Sequence, residues 1–247
     1  MIYKCGSQSC SVWRGFIAYE GCRKSENRDG KAKRMSKPHV LIGETRSYEN
    51  VSFLREWGWG RIFLKGKPCP FPFERWAFDN GAFVAWRKGF SFPEDEFLHR
   101  MEEAEGVNSE PYLAVTPDIV AGGLTSLDFS LSWRERLKNG WPWYLAVQDG
   151  MATNEVCDIA HLFSGIFLGG TDKFKFGAEK WCDLAHACGK KFHYGRAGTL
   201  RKLAHAIRVG ADSIDSSFPL WTKERFGEFR QFYLADHEVQ HELAFRA

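Results

Sequence analysis

From His39 onward the chain alternates two patterns. Short apolar runs ended by Gly, Asp, Thr or Gln fall at 39–43, 61–64, 75–78, 112–116, 143–147, 165–168, 191–194 and 211–214. Continuous apolar runs of this length are the mark of strands buried on both faces. Segments with apolar residues three and four apart lie between them, at 47–57, 126–138, 174–188, 199–209 and 222–235. That spacing gives amphipathic helices. Thr199 is placed as an N-cap and Gly210 as a C-terminal stop for the helix between them. Strands and helices in alternation predict an α/β fold, a single (β/α)8 barrel spanning 39–247. An open doubly wound sheet is the alternative, and it would gather ligands at one switch point instead. Residues 1–38 read as a basic N-terminal extension.

In a barrel, chemistry sits where strands end at their C-terminal side. Two aspartates occupy such places: Asp79, after Trp76-Ala77-Phe78, and Asp215, after Ala211-Asp212-Ser213-Ile214. Small residues follow each, so a ring can approach the backbone closely. A lone aspartate there is commonly a helix cap or turn residue. A pair suits substitution at a sugar carbon, where one carboxylate meets the cationic carbon and the other moves the leaving group's proton. Asp118, Gln148, Gly169, Gly170 and Arg196 also stand at strand ends.

Composition narrows the picture modestly. The 247 residues are 44% hydrophobic and 15% aromatic, enough for a full core and for stacking on flat ligands. A net charge of +3 does not by itself argue for nucleic acid. The basic residues do cluster, though, between Arg23 and Lys37, which reads as either a solvated loop or a phosphate-contacting arm. No apolar run approaches the roughly 18 residues of a membrane span, and the first residues lack the apolar core of a signal peptide. Seven unpatterned cysteines point to a reducing, cytoplasmic setting.

Taken in order, the strand ends resemble the tRNA-guanine transglycosylase superfamily. Phe78-Asp79-Asn80-Gly81-Ala82-Phe83 is similar to its Asp-Ser-Gly-Gly-Phe, and Leu145-Ala146-Val147-Gln148-Asp149-Gly150 to its Val-Gln-Gly-Gly. Gly165 to Gly170 resembles the strand ending in Gly-Gly, and Phe192 to Thr199 the Leu-Met-Gly-Val-Gly-Thr turn. Ala204 to Pro219 resembles the helix and strand that deliver the nucleophilic Asp. The resemblance implies exchange of guanine in nucleic acid for a 7-deazaguanine. Asp215 would be the nucleophile and Asp79 the acid/base. Phe83 and Tyr194 would stack on the base, Asp118 would accept from its amino and imino groups, and Gln148 with the Gly169 and Gly170 amides would meet its carbonyl edge.

The chain departs from the transfer-RNA branch in having no cysteine after Asp215, hence none of that branch's three-Cys, one-His zinc site. His237 and His241, and Cys5, Cys10 and Cys22, do not make a metal site by spacing. No metal or other cofactor is therefore expected. The missing zinc part and the basic arm imply the small phage-type DNA-guanine transglycosylases, which insert 7-cyano-7-deazaguanine or a relative. DNA is thus the expected partner and transfer RNA the alternative, with a monomer in the host cytoplasm. Arg196, Lys223, Arg34 and Lys33, along with Arg23, Lys24, Lys31, Lys65 and Lys67, would face phosphates. A transfer-RNA enzyme without zinc, a barrel glycoside or nucleoside hydrolase and a non-enzymatic nucleic-acid binder are the competing readings.

Overall fold

The computed structural model describes residues 37–235. Eight parallel strands close a barrel in sequence order: β1 (His39–Gly43), β2 (Gly60–Phe63), β3 (Ala77–Phe78), β4 (Leu113–Val115), β5 (Trp143–Val147), β6 (Gly165–Leu168), β7 (Lys191–Tyr194) and β8 (Ser213–Ser216). The ring closes through β1 and β8, with Val40 opposite Ile214 and Leu41 opposite Asp215. The expected (β/α)8 barrel is therefore the fold, and the open sheet is ruled out.

Strand parity divides the side chains into two layers, because successive residues point to opposite faces. Leu41, Ile62, Ala77, Leu113, Val115, Tyr144, Ala146 and Phe167 pack together inside the barrel. Their neighbours along the strands, among them Val40, Ile42, Val147, Leu168, Phe192, Tyr194 and Ile214, pack outward under the helices. A second outer cluster forms around Phe78, Phe97, Trp133 and Trp143.

The helical layer is less regular than eight identical units. It comprises α1 (Tyr48–Trp57), α2 (Ala82–Arg87), α3 (Glu94–Glu105), α4 (Gly123–Ser132), α5 (Thr153–Cys157), α6 (Asp172–Lys175), α7 (Ala178–Ala187), α8 (Leu200–Val209) and α9 (Lys223–Leu234). The expected helix at 174–188 is split at Gly177 into α6 and α7. The expected helix at 126–138 starts earlier, as α4, and ends in a 3-10 turn. Thr199 caps α8 through the Lys202 amide at 3.2 Å, and Gly210 ends it in the left-handed region.

No helix joins β2 to β3. An ion pair takes its place: Arg61 and Glu74, both buried, form two bonds of 2.9 and 2.7 Å. Arg61 also donates to the Thr45 and Cys69 carbonyls at 2.8 Å each, and Glu74 accepts from the Phe71 amide at 2.9 Å. The connecting loop is held against the outside of β2 by polar bonds where an amphipathic helix would have used apolar packing. No helix among the described residues is long and apolar enough to cross a membrane.

Candidate active site

At the C-terminal end of β3 the chain turns sharply. Asp79 Oδ1 accepts from the Gly81 amide at 2.7 Å, and Asn80 Oδ1 accepts from the Ala82 amide at 2.9 Å. These side-chain bonds start α2, since both residues satisfy amides that the helix leaves unpaired. Arg100 of α3, itself buried, reaches back to the Asp79 and Asn80 carbonyls at 3.0 and 3.1 Å. The turn is braced from both sides, and Asp79 is fixed on the inward parity two residues after Ala77.

Asp118 follows β4 and is buried. Its two carboxylate oxygens accept from Asn80 Nδ2 and Gln148 Nε2. Gln148 is held in turn by the Ala121 amide, which donates to its Oε1 at 3.2 Å. Burial pushes the Asp118 carboxyl up to about 7; the charge of Asp79 adds to this, while the Asn80 and Gln148 bonds and Arg196 oppose it.

Asp215 lies within β8 rather than after it. Its Oδ1 accepts from His193 Nε2 at 2.9 Å and from the Arg196 amide at 3.0 Å. His193 is fully buried inside the barrel, stacked on Phe167 at 4.7 Å, and its Nδ1 meets Ser213 Oγ at 2.8 Å. Arg196 adopts a positive φ of 53°, uncommon without glycine. This strained turn aims its amide at the carboxylate. Burial alone would raise the Asp215 carboxyl. The bond and charge of His193, the Arg196 amide and Lys175 outweigh it and hold the group below its ordinary range.

Asp79 moves the other way. Burial raises it, the Gly81 amide pulls against that, and the charge of Asp215 raises it further. The two carboxylates thus lie at one end of the barrel, close enough to interact, with their affinities for protons pushed apart. Such a split separates an acid from a base or nucleophile.

Phe83, on the first turn of α2, forms a wall of the mouth. The Arg196 guanidinium lies over its ring at 3.6 Å and donates to the Gly170 carbonyl. Arg196 feels the charges of Asp215, Asp172, Asp79 and Asp118, so this cation sits among the carboxylates around the mouth.

Two expectations are corrected by strand parity and backbone bonding. Tyr194 points away from the mouth: only 1% exposed, it packs edge-on against His205 of α8 at 5.8 Å in the outer layer. The inward side chain of β7 next to the mouth is His193, and Gly195 follows on the same parity just past the strand. The Gly169 amide is also committed, donating to the Val147 and Phe167 carbonyls at 3.0 Å each. Gly169 instead makes room, because a Cβ there would lie 2.4 Å from Gln148 Nε2. Gly170 has a positive φ of 70°, and a Cβ would come within 2.6 Å of Asp149 Oδ2.

Lys223, at the start of α9, is exposed and pairs with Glu49 at 3.6 Å. Lys33, Arg34, the other basic residues of the N-terminal arm, the three N-terminal cysteines, His237 and His241 lie outside the described residues. Among the described residues, no group of three or more His, Cys, Asp or Glu side chains is placed to hold a metal ion.

The structure adds residues that the sequence reading passed over. His193, Asn80 and Arg100 hold the two catalytic candidates and Asp118 in place. Lys175 is buried, donates to the Gly195 carbonyl at the foot of the Arg196 turn, and lies 5.4 Å over the Tyr194 ring. Burial and the charge of Arg196 push its amine well below the usual lysine range, against the pull of Asp215. The signal for His193 was available, since it stands two residues before Gly195 on the inward parity of a strand whose neighbour carries Asp215.

No protein-family model matches the chain, and no curated protein matches it. Among solved structures it is similar to Proteus mirabilis N-acetylneuraminate lyase, at 13% identity and a TM-score of 0.50, over 85% of this chain and 80% of that one. At that identity the likeness is one of fold.

Proposed function

We propose that the protein is a nucleic-acid guanine transglycosylase, acting on DNA and exchanging guanine for a 7-deazaguanine such as 7-cyano-7-deazaguanine. The observation that carries this reading is the meeting of two inward carboxylates in one mouth, Asp79 held by the Gly81 amide and Asp215 by His193 and the Arg196 amide, beside a flat ring and a third, buried carboxylate. Asp215, ionised and oriented by His193 and the Arg196 amide, attacks the anomeric carbon of the sugar. Asp79, protonated, gives its proton to the departing guanine; as a carboxylate it then takes one from the incoming base. The sugar passes from base to Asp215 and back to a base, so the backbone stays intact and no bond is left to water.

Recognition of the base follows from the same side chains. Asp118 in its ionised form accepts from the amino and imino groups that guanine and its 7-deaza relatives carry on one edge and adenine lacks. Phe83 supplies one stacking wall. Arg196 supplies the second in place of Tyr194: its planar guanidinium already lies on Phe83 and lifts by one ring's thickness to admit a heterocycle. A duplex substrate has to present its target flipped out of the stack.

The test is incubation with duplex DNA and, separately, transfer RNA, each with labelled 7-deazaguanine. Label entering DNA supports the reading, and label entering transfer RNA alone moves the substrate to RNA. Release of free guanine into water without uptake of label would mark a hydrolase and refute the exchange.

A further inference from the structure

One peptide group in the turn after β7 has a partner at each end. The Arg196 amide donates to Asp215 Oδ1 at 3.0 Å, and the Gly195 carbonyl, the oxygen of that same peptide, accepts from Lys175 Nζ. A trans peptide is a rigid plane whose N–H and C=O point in opposite directions. Fixing the oxygen therefore fixes where the hydrogen points. Local preference does not hold this plane. Arg196 has a φ of 53°, which a side chain disfavours. Gly195 leaves the hinge on the other side free, and it has to be glycine, since a Cβ there would lie 2.7 Å from the Phe167 ring. Turning the peptide over would return Arg196 to negative φ, take the N–H off Asp215 and present an oxygen to the carboxylate instead. Lys175 stands against that. Its side chain is fully enclosed on α6. That short helix is itself anchored, because Thr171 accepts from the Phe174 amide at 3.3 Å and gives its own amide and hydroxyl to Asp149 at 2.7 and 2.5 Å. A strut thus runs from Asp149, after β5, through α6 to the turn.

We propose that Lys175 is a positioning residue that locks the Gly195–Arg196 peptide: by holding its oxygen, it keeps its N–H on the Asp215 carboxylate. This deepens the base-exchange reading and rests on it, since that reading makes Asp215 the nucleophile. Lys175 does not touch the reacting atoms. It acts through the peptide, and a donor on the carbonyl also polarises the group and strengthens the N–H at its far end. The Arg196 guanidinium is tied separately, to Gly170 and Phe83, and those contacts do not set the peptide plane.

The experiment is nuclear magnetic resonance on the full chain without substrate. The sequence has two Gly-Arg pairs, Gly60-Arg61 and Gly195-Arg196. Carbonyl-labelled glycine with nitrogen-labelled arginine therefore marks both amides, and the one in β2 serves as control. Lys175→Met keeps the length without a donor, and Lys175→Gln keeps an uncharged donor. In Lys175→Met the Arg196 amide signal moves and exchanges with water roughly tenfold faster, while the Arg61 signal stays. The Asp215 carboxyl, read through labelled aspartate, titrates about one pH unit higher. His193, Arg196 and Asp79 also face that carboxyl and are untouched in both variants. Lys175→Gln restores most of both signals. An Arg196 amide unmoved in Lys175→Met overturns the lock. So does an Asp215 midpoint raised equally by Met and Gln, because Lys175 would then act by charge alone. In the exchange reaction, Lys175→Met slows attack on the order of 10²-fold with affinity for free guanine unchanged. If both signals respond but the wild-type chain exchanges no guanine, the lock stands and the base-exchange reading fails. Exchange in a chain whose Arg196 amide ignores Lys175 means the reverse.

Discussion

The two sides of the barrel mouth treat the same residue type in opposite ways. On the β3–β5 side, Asp79 and Asp118 are held above the ordinary carboxylate range, surrounded by amides, other carboxylates and apolar walls. On the β7–β8 side, Asp215 is just as enclosed, yet it is held below that range by His193, the Arg196 amide and Lys175. Burial raises all three, so it cannot explain the difference. What differs is the balance of partners: Asp79 and Asp118 each accept amide donors but face another carboxylate, whereas Asp215 is bonded by His193 and the Arg196 amide and feels the charge of Lys175. Place in the fold makes a strand-end aspartate a candidate, and its immediate partners decide whether it serves as acid or nucleophile.

The comparison breaks first at its nucleophilic side. Asp215→Asn removes the attacking group and lowers exchange by on the order of 10⁴-fold or more, while free-base binding survives. A single-turnover assay beside a base-binding titration checks both. Asp79→Asn removes the acid and costs about 10²- to 10⁴-fold, with the loss smallest for a base that leaves readily without protonation. Equal losses for good and poor leaving bases would place Asp79 outside proton transfer.

The recognition group sharpens the contrast through pH. Asp118 binds the guanine edge when ionised, and its carboxyl lies at about 7 in the free protein, with Asp79 and Arg196 as its charged neighbours. Affinity for free guanine therefore rises with pH up to about 7, and falls about tenfold per unit below it. Asp118→Asn flattens that profile and weakens binding or relaxes its selectivity. Calorimetry on either side of neutrality reads the slope. The smallest effect belongs to His193→Leu, which removes a bond to an ionised group. The acid limb of the rate profile then moves up by about one pH unit. His193→Gln, with an amide donor, moves it less. A merely structural role for His193 would lower the rate at every pH without moving the limb.

Much of the frame was legible because its signal is local. Runs such as Trp143 to Val147 and Gly165 to Leu168 are apolar on both faces, so their strands could be read directly. Less visible were α2 and α3. In α2 the helix is only six residues long, and it is started by the Asp79 and Asn80 side chains rather than by periodicity. In α3 the apolar Phe97, Met101 and Ala104 do fall at helical spacing, behind an acidic first turn, and the pattern was there to be found.

At the site, Asp79, Gln148 and Asp215 meet because each stands on an inward-facing register, while Asp118, past the end of β4 and off that parity, is held to them by Asn80 and Gln148. Tyr194 failed because motif alignment ignored parity: one residue's shift turns a side chain from the mouth into the helix layer. Arg196 on Phe83 was not foreseeable from sequence, since it depends on a positive φ in a non-glycine residue and on contact between segments 113 residues apart (Arg196 minus Phe83).

The most direct test of the central claim is peptide mass analysis after rapid acid quenching of the protein with a guanine-containing DNA strand and no incoming base. The account predicts a sugar-linked adduct on the peptide bearing Asp215, absent in Asp215→Asn and discharged when a 7-deazaguanine is added. An adduct on Asp79 instead, or turnover of guanine with no adduct at any time, would contradict it.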